Sequence, residues 1–189
     1  NMMNNTLSTG NISGLQGEFP FNDVFVQSTG YVYVTDRASD TLSVINGSSN
    51  EVVGVIHTGV FPNAASYDTK NGNLYVVNYF SGSVSVINVS TGRVVKSITV
   101  GAYPYGLTYD SHNGFLYVVN ELSSNVSIIN GSSNRVVATV DVGSEPMGDV
   151  FDSNNGNVYI LNSESNNLSV INGTTGRISG SIYTGIRLP

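Results

Sequence analysis

Four landmarks recur along this chain at a single spacing. Pro20, Pro62, Pro104 and Pro146 lie 42 residues apart, and so do Tyr33, Tyr75, Tyr117 and Tyr159. Asn46, Asn88, Asn130 and Asn172 keep the same interval, as do Gly59, Gly101, Gly143 and Gly185. No insertion breaks the register. Residues 19–60, 61–102, 103–144 and 145–186 are therefore four copies of one unit. Repeats of about 40–45 residues include the four-stranded blades of propellers, but some helical repeats have this length too. Local patterning separates the two. Ser83-Val84-Ser85-Val86-Ile87 alternates polar and apolar with the period of a strand. Leu74-Tyr75-Val76-Val77-Asn78, Val94 to Val100 and Ala64-Ala65-Ser66-Tyr67 read as three more strands. Turn residues stand between them at Asn71-Gly72, Ser81-Gly82 and Thr91-Gly92. Asn-Gly predicts tight hairpins in which both residues take positive φ. No window shows a helical stripe. The predicted fold is all-β: a β-propeller built from four four-stranded antiparallel blades.

Residues 1–18 stand outside the repeat and read as a linker, or as an arm that adds a strand to a free blade edge. They lack the basic and apolar regions of a signal peptide. Residues 187–189 read as the start of a following segment, and both ends look cut from a longer polypeptide.

Composition narrows the function classes. Charged residues make up 11% of the chain, with seven basic against thirteen acidic and a formal net charge of −6. An ordinary soluble chain carries about 25% charged residues. The deficit of basic residues argues against nucleic acid and against a polybasic membrane surface. No apolar run is long enough to span a bilayer. With no cysteine, disulfides, thiolate metal sites and cysteine nucleophiles are all excluded. Sparse titrating groups would suit an acidic medium.

The runs Leu74-Tyr75-Val76-Val77-Asn78 and Leu116-Tyr117-Val118-Val119-Asn120 resemble the signature of the YVTN β-propeller repeat. Tyr33-Val34-Thr35-Asp36 and Tyr159-Ile160-Leu161-Asn162 are looser versions. The Ser-Val-Ile-Asn runs ending at Asn46, Asn88 and Asn172, and the closing Val-Gly at 100–101 and 142–143, also match. The resemblance covers 19–186. It implies an archaeal surface-layer or other cell-surface protein, extracellular and structural, with relatives among propeller lactonases and quinoproteins. Blades of this family usually close as seven, and this chain supplies four. The expectation is a partial ring, a ring completed by another chain, or a closed four-blade ring.

Eight Asn-x-Ser/Thr sequons are present. Asn46, Asn88, Asn130 and Asn172 share one repeat position, in the turn after the third strand. Asn125, Asn167, Asn4 and Asn11 complete the set. Glycosylation there would mark an exported protein; Asn in a turn is equally explained by its tolerance of the left-handed region. Asp68, Asp110 and Asp152 recur before Asn-Gly turns and are expected to cap them rather than bind calcium, which needs several close carboxylates. His57 and His112 occupy unrelated repeat positions. Arg93, Arg135 and Arg177 open fourth strands, where charge blocks edge pairing. The repeated tyrosines are expected to fill the space between blades. The loops leading into the first strands carry Phe19, Phe21, Phe61, Tyr103, Tyr105 and Met147 at one end of the fold, a candidate contact face. The fold, the sequons and the missing catalytic constellation point to a non-catalytic module. It needs no cofactor and no metal, and it would contact copies of itself, neighbouring surface proteins or glycans. The alternative is a blade segment of a lactonase- or quinoprotein-type enzyme with its site on other blades.

Overall fold

A computed structural model describes residues 17–185. The expected arm at residues 1–18, with Asn4 and Asn11, lies almost wholly outside these residues, as does the segment 187–189. Sixteen strands form four antiparallel sheets. Blade 1 holds β1 (Pro20–Val26), β2 (Tyr31–Asp36), β3 (Thr41–Asn46) and β4 (Glu51–His57). Blade 2 holds β5 (Pro62–Asp68), β6 (Asn73–Asn78), β7 (Ser83–Asn88) and β8 (Arg93–Thr99). Blade 3 holds β9 (Pro104–Asp110), β10 (Phe115–Asn120), β11 (Asn125–Asn130) and β12 (Arg135–Asp141). Blade 4 holds β13 (Pro146–Asp152), β14 (Asn157–Asn162), β15 (Asn167–Asn172) and β16 (Arg177–Tyr183). Each sheet is a meander in chain order. The first strands β1, β5, β9 and β13 lie side by side, and the fourth strands lie outermost. The fourth sheet does not close onto the first, so the four blades form an open arc.

Every blade shows the same register shift between its third and fourth strands, at Val44/Ile45, Val86/Ile87, Ile128/Ile129 and Val170/Ile171. Such bulges increase local twist and turn an outer edge away from stray pairing. Arg93, Arg135 and Arg177 open these outer strands and are exposed.

The hairpins differ from the expected two-residue turns. The connections have four residues, and at Asn71-Gly72 only Gly72 has positive φ. The reason lies three residues earlier, at the end of the first strand. Asp68 Oδ1 accepts the backbone N–H groups of Lys70 and Asn71, while Gly72 donates to the Asp68 carbonyl. A carboxylate thus replaces the missing backbone partners inside the loop. Asp110 caps His112 and Asn113 in the same way, and Asp152 caps Asn154.

Each blade has two faces. A forward face, towards the next blade, carries Tyr33, Leu42 and Val44 in blade 1; these meet Leu74, Val76 and Ile87 on the backward face of blade 2. Tyr75, Val84 and Val86 meet Leu116, Val118 and Ile129 across the next joint. Tyr117, Val126 and Ile128 meet Val158, Ile160 and Ile171 across the third. Tyr33, Tyr75 and Tyr117 are buried as expected, and Tyr159, which has no following blade, is half-buried.

The last residue of each second strand is buried, and in blades 2 and 3 it ties its blade to the linker that enters it. Asn78 is fully buried. Its Oδ1 accepts the Gly59 N–H at 3.0 Å, and its Nδ2 donates to the Ser83 and Ser85 hydroxyls at 3.2 and 3.0 Å. Asn120 repeats this with Gly101, Asn125 and Ser127. In blade 4, Asn162 keeps the bonds to Asn167 and Ser169, while its Oδ1 has no partner. In blade 1, Asp36 accepts from Ser43 instead. A Cβ on Gly59 would stand 2.7 Å from the Asn78 side chain, so the linker glycine is required by this approach.

Asn78→Ala strands one N–H and two hydroxyls in a dry site. It should cost about 3 kcal/mol in urea-induced unfolding, whereas Asn78→Asp, which copies Asp36, should cost about 1 kcal/mol. Equal losses for the two variants would show that the side chain acts by volume alone.

Candidate functional site: an aromatic end of the arc

The first strands start, and the second strands finish, at the same end of the blades. The lead-in loops and the turns after the second strands therefore crowd together. The residue before each lead-in proline takes positive φ: Phe19 (64°), Phe61 (59°), Tyr103 (51°) and Glu145 (48°). For bulky side chains this conformation costs of order 1–3 kcal/mol each. Backbone bonds hold it in place, because Arg37, Tyr79, Glu121 and Ser163 donate to the carbonyls of these four residues. Asp40 also accepts the Phe61 N–H at 2.8 Å.

Aromatic rings from blades 1, 2 and 3 meet at this end. Tyr79 stacks on Tyr103 with centroids 4.9 Å apart and planes inclined by 20°. Phe80 packs on Phe61 at 4.8 Å and on Tyr79 at 5.1 Å. Tyr105 links Tyr79 to Phe21. The Arg37 guanidinium lies over the Phe21 ring, 3.1 Å from its centroid, and 5.0 Å from that of Phe61. Arg37 also donates to Asn63 Oδ1, and buried Asn63 donates to the Tyr105 carbonyl at 2.8 Å. The cluster is partly open: Phe80 is 56% exposed, Phe21 45% and Tyr103 39%. Burial, with the neighbouring Glu121 carboxylate next in importance, pushes the Tyr79 hydroxyl up to about 12. Tyr79 therefore stays a neutral donor at any physiological pH.

The expected contact face is thus partly assembled. Phe21, Phe61, Tyr103 and Tyr105 come together. Phe19, 73% exposed, makes no ring contact with them, and Met147 is half-buried on blade 4. Sequence reading missed Arg37, Tyr79 and Phe80. They directly follow Asp36 and Asn78, the anchors at the ends of second strands. That adjacency to the anchor was the available signal.

The sequon positions divide between the two ends. Asn46, Asn88, Asn130 and Asn172 close the third strands at the end opposite the aromatics, each half-buried. Their Oδ1 atoms accept turn N–H groups from Ser48, Thr91, Ser133 and Thr175. Asn125 and Asn167 lie at the aromatic end, accepting from Asn120 and Asn162. Among the described residues no group of three His, Cys, Asp or Glu is placed to hold a metal ion. His57 and His112 are both exposed and belong to different blades, and His112 packs edge-on against Phe151.

Asp149 was also missed. Its Oδ1 would lie 2.4 Å from a Cβ on Gly106 of blade 3, so that glycine makes room for it. The residue is half-buried, but its Oδ2 is sealed with no hydrogen-bond partner. Burial raises its pKa from 3.8 to about 8, against the opposing pull of the Thr108 backbone N–H.

No family model matches this sequence, and no curated protein matches it. Solved structures do match. Hydrazine synthase from Kuenenia stuttgartiensis superposes with a TM-score of 0.80 at 19% identity, over 92% of this chain and 52% of the other. A functionally unknown protein from Desulfotomaculum acetoxidans DSM 771 superposes with a TM-score of 0.72 at 15% identity, over 86% and 55%. At these identities the likeness establishes the propeller-like repeat fold alone. The chain spans about half the length of both.

The Asp149 carboxyl gives the fold a pH dependence of known sign. Its folded pKa is raised, so its contribution is complete below the ordinary carboxylate range and is lost as pH rises through about 8. Thermal scans should show the wild type losing at least ~2 kcal/mol between pH 5 and pH 8 from this group. Asp149→Asn should flatten the slope and raise Tm at pH 8. An unchanged slope in the variant would assign it to other groups.

Proposed function

We propose that this chain is a non-catalytic, extracellular cell-surface propeller module of the YVTN-repeat type, and that it makes its contacts through the aromatic end. The observation that carries this reading is the strained, multi-blade cluster around Tyr79, Phe80 and Tyr103. Blades 2 and 3 hold Phe61 and Tyr103 in a disfavoured backbone conformation, blade 1 adds Phe21 and Arg37, and the result is a partly open aromatic platform with one cation. Flat aromatics with a neighbouring arginine are the residue types that dominate binding energy at contact surfaces. The four repeated sequons support an exported protein, since they lie at the opposite end. Sugars there would leave the aromatic platform uncovered.

The reading is tested on protein isolated from its native cells. Intact mass before and after glycan removal should show a chain heavier than 20.0 kDa that falls in sugar-sized steps. Whole-cell surface labelling should reach it. A bare chain found only inside the cell overturns the reading. The contact role has its own readout. The triple change Phe61→Ala, Phe80→Ala and Tyr103→Ala should move the protein from the envelope fraction to the medium, with its β-sheet spectrum unchanged. Full retention on the envelope would remove the aromatic end from that role.

A further inference from the structure

Among the described residues, nothing covers two faces at the ends of the arc: the forward face of blade 4 and the backward face of blade 1. Their residues stand at repeat positions that are buried elsewhere. Leu161 is 45% exposed, while its counterparts Val77 and Val119 are fully buried. Ile182 is 48% exposed, while its counterparts Ile56 and Ile98 are buried. Gly148, Val150, Tyr159, Leu161 and Leu168 line an apolar hollow of about 480 Å³ on this face. On blade 1, Phe25 is 59% exposed, at the position where Phe151 packs onto the core between blades 3 and 4.

The three internal joints show what such faces require of each other. At one level, the forward face offers Val26, Asp68 or Asp110. Asp68 lies against Gly131, and Asp110 lies against Gly173; a Cβ on either glycine would come within 2.3 or 2.7 Å of the carboxylate. Where the forward residue is Val26, the facing residue is Val89, and both belong to one buried core. Aspartate is thus met by glycine, which the carbonyl of its own turn also crowds, and valine is met by valine. At a second level, Asn22 bonds the Ala65 backbone, Ala64 packs in the core with Leu107, and Gly106 makes room for Asp149. At a third, Asn71 Nδ2 and Tyr75 Oη donate to the Gly131 carbonyl, and Asn113 and Tyr117 do the same to Gly173.

The uncovered faces satisfy all three rules. Blade 4 offers Asp152, and blade 1 offers Gly47 at the facing position. Blade 4 offers Gly148, and blade 1 offers Asp23. Blade 4 holds Asn155 and Tyr159 already joined at 3.0 Å, as Asn71 and Tyr75 are at 2.9 Å, and Gly47 supplies the carbonyl. Gly47 is tied to the Gly30 carbonyl as Gly131 is to Gly114 and Gly173 to Gly156, so the receiving turn has the same shape.

We propose that two copies of this chain close head to tail, the forward face of each blade 4 docking on the backward face of the other copy's blade 1, to form one eight-bladed ring. Eight blades lie at the upper end of the usual four to eight. Two identical joints related by a two-fold axis close the ring and leave no face free. The ring goes beyond the proposed function and does not rest on it; the aromatic end and the cellular location are tested separately above.

Sedimentation equilibrium or light scattering of the 189-residue chain at tens of micromolar should give about twice 20.0 kDa. Gly47→Val should shift the particle to the monomer mass, weakening association at least 100-fold, because the added side chain meets the Asp152 carboxylate as well as the Gly30 carbonyl of its own turn, a crowding that Asp152→Val leaves in place. Adding Asp152→Val should restore the dimer by recreating the Val26–Val89 pair. Far-ultraviolet dichroism and Tm verify that each variant folds; should Gly47→Val fail to fold, Asp152→Lys supplies the same test from the other face. A wild-type monomer overturns the proposal and assigns these faces to other blades. Mass that grows with concentration also overturns it, in favour of an open filament, as does a dimer insensitive to both faces.

Discussion

Each blade depends on one buried polar side chain, the one that ends its second strand; in blades 2 and 3 it bonds the linker glycine that brings the chain in. In blades 2 and 3 a single carboxamide satisfies a backbone N–H with its oxygen and two side-chain acceptors with its nitrogen. The site excludes water, so the alternative to these bonds is an orphaned donor costing about 1–3 kcal/mol. The consequences spread outward. The glycine must lack a side chain because the carboxamide touches it. The linker then enters at one angle, the residue two positions on adopts positive φ, and the first strand starts on its proline. The turn after the anchor delivers Tyr79 and Phe80 beside that loop. The aromatic platform is a product of the anchor.

The joints between blades follow a different logic. Apolar packing supplies most of the attraction, since each joint buries a row of Val, Ile, Leu and Tyr side chains. Such rows are nearly interchangeable and would not by themselves select a neighbour. Selection comes from the few positions where bulk or charge on one face needs space on the other. Asp68 against Gly131 and Val26 against Val89 are alternatives that cannot be mixed. An aspartate facing Val89 would be buried without room, and a valine facing Gly131 would leave a void. Blade order is therefore written into a handful of small residues.

The repeat, the strands and the buried tyrosines were legible in the sequence because each depends on local periodicity repeated four times. Tyr33, Tyr75 and Tyr117 announce themselves by spacing alone. The turn geometry was not legible from Asn71-Gly72, because Asp68, outside the dipeptide, selects the loop. The contact face was half legible. Phe21, Phe61, Tyr103 and Tyr105 share repeat positions, whereas Arg37, Tyr79 and Phe80 differ from blade to blade and carry no period. Asp149 was invisible for a related reason. Its meaning lies in Gly106, 43 positions away, and in the size of a side chain that Gly106 does not have.

The two ends of the blades differ in how much chemistry they leave unspent. At the Asp68 and Asn88 end, side-chain acceptors close turns and donors reach the next blade, so most polar groups are committed to holding the fold. The same residues recur there because the geometry tolerates few others. At the aromatic end the holding is done by buried anchors, short polar side chains and the backbone, whose linker carbonyls take N–H groups from the turns, and the side chains before the prolines are released. The positions 19, 61, 103 and 145 accordingly carry Phe, Phe, Tyr and Glu, four residues with one backbone conformation and no common packing duty. Bulky residues in that conformation lower stability relative to glycine, and glycine is what folding alone would favour there. Aromatic rings stand at this position in three of four copies despite that penalty, at the end where they remain partly exposed, and this supports the proposed contact role.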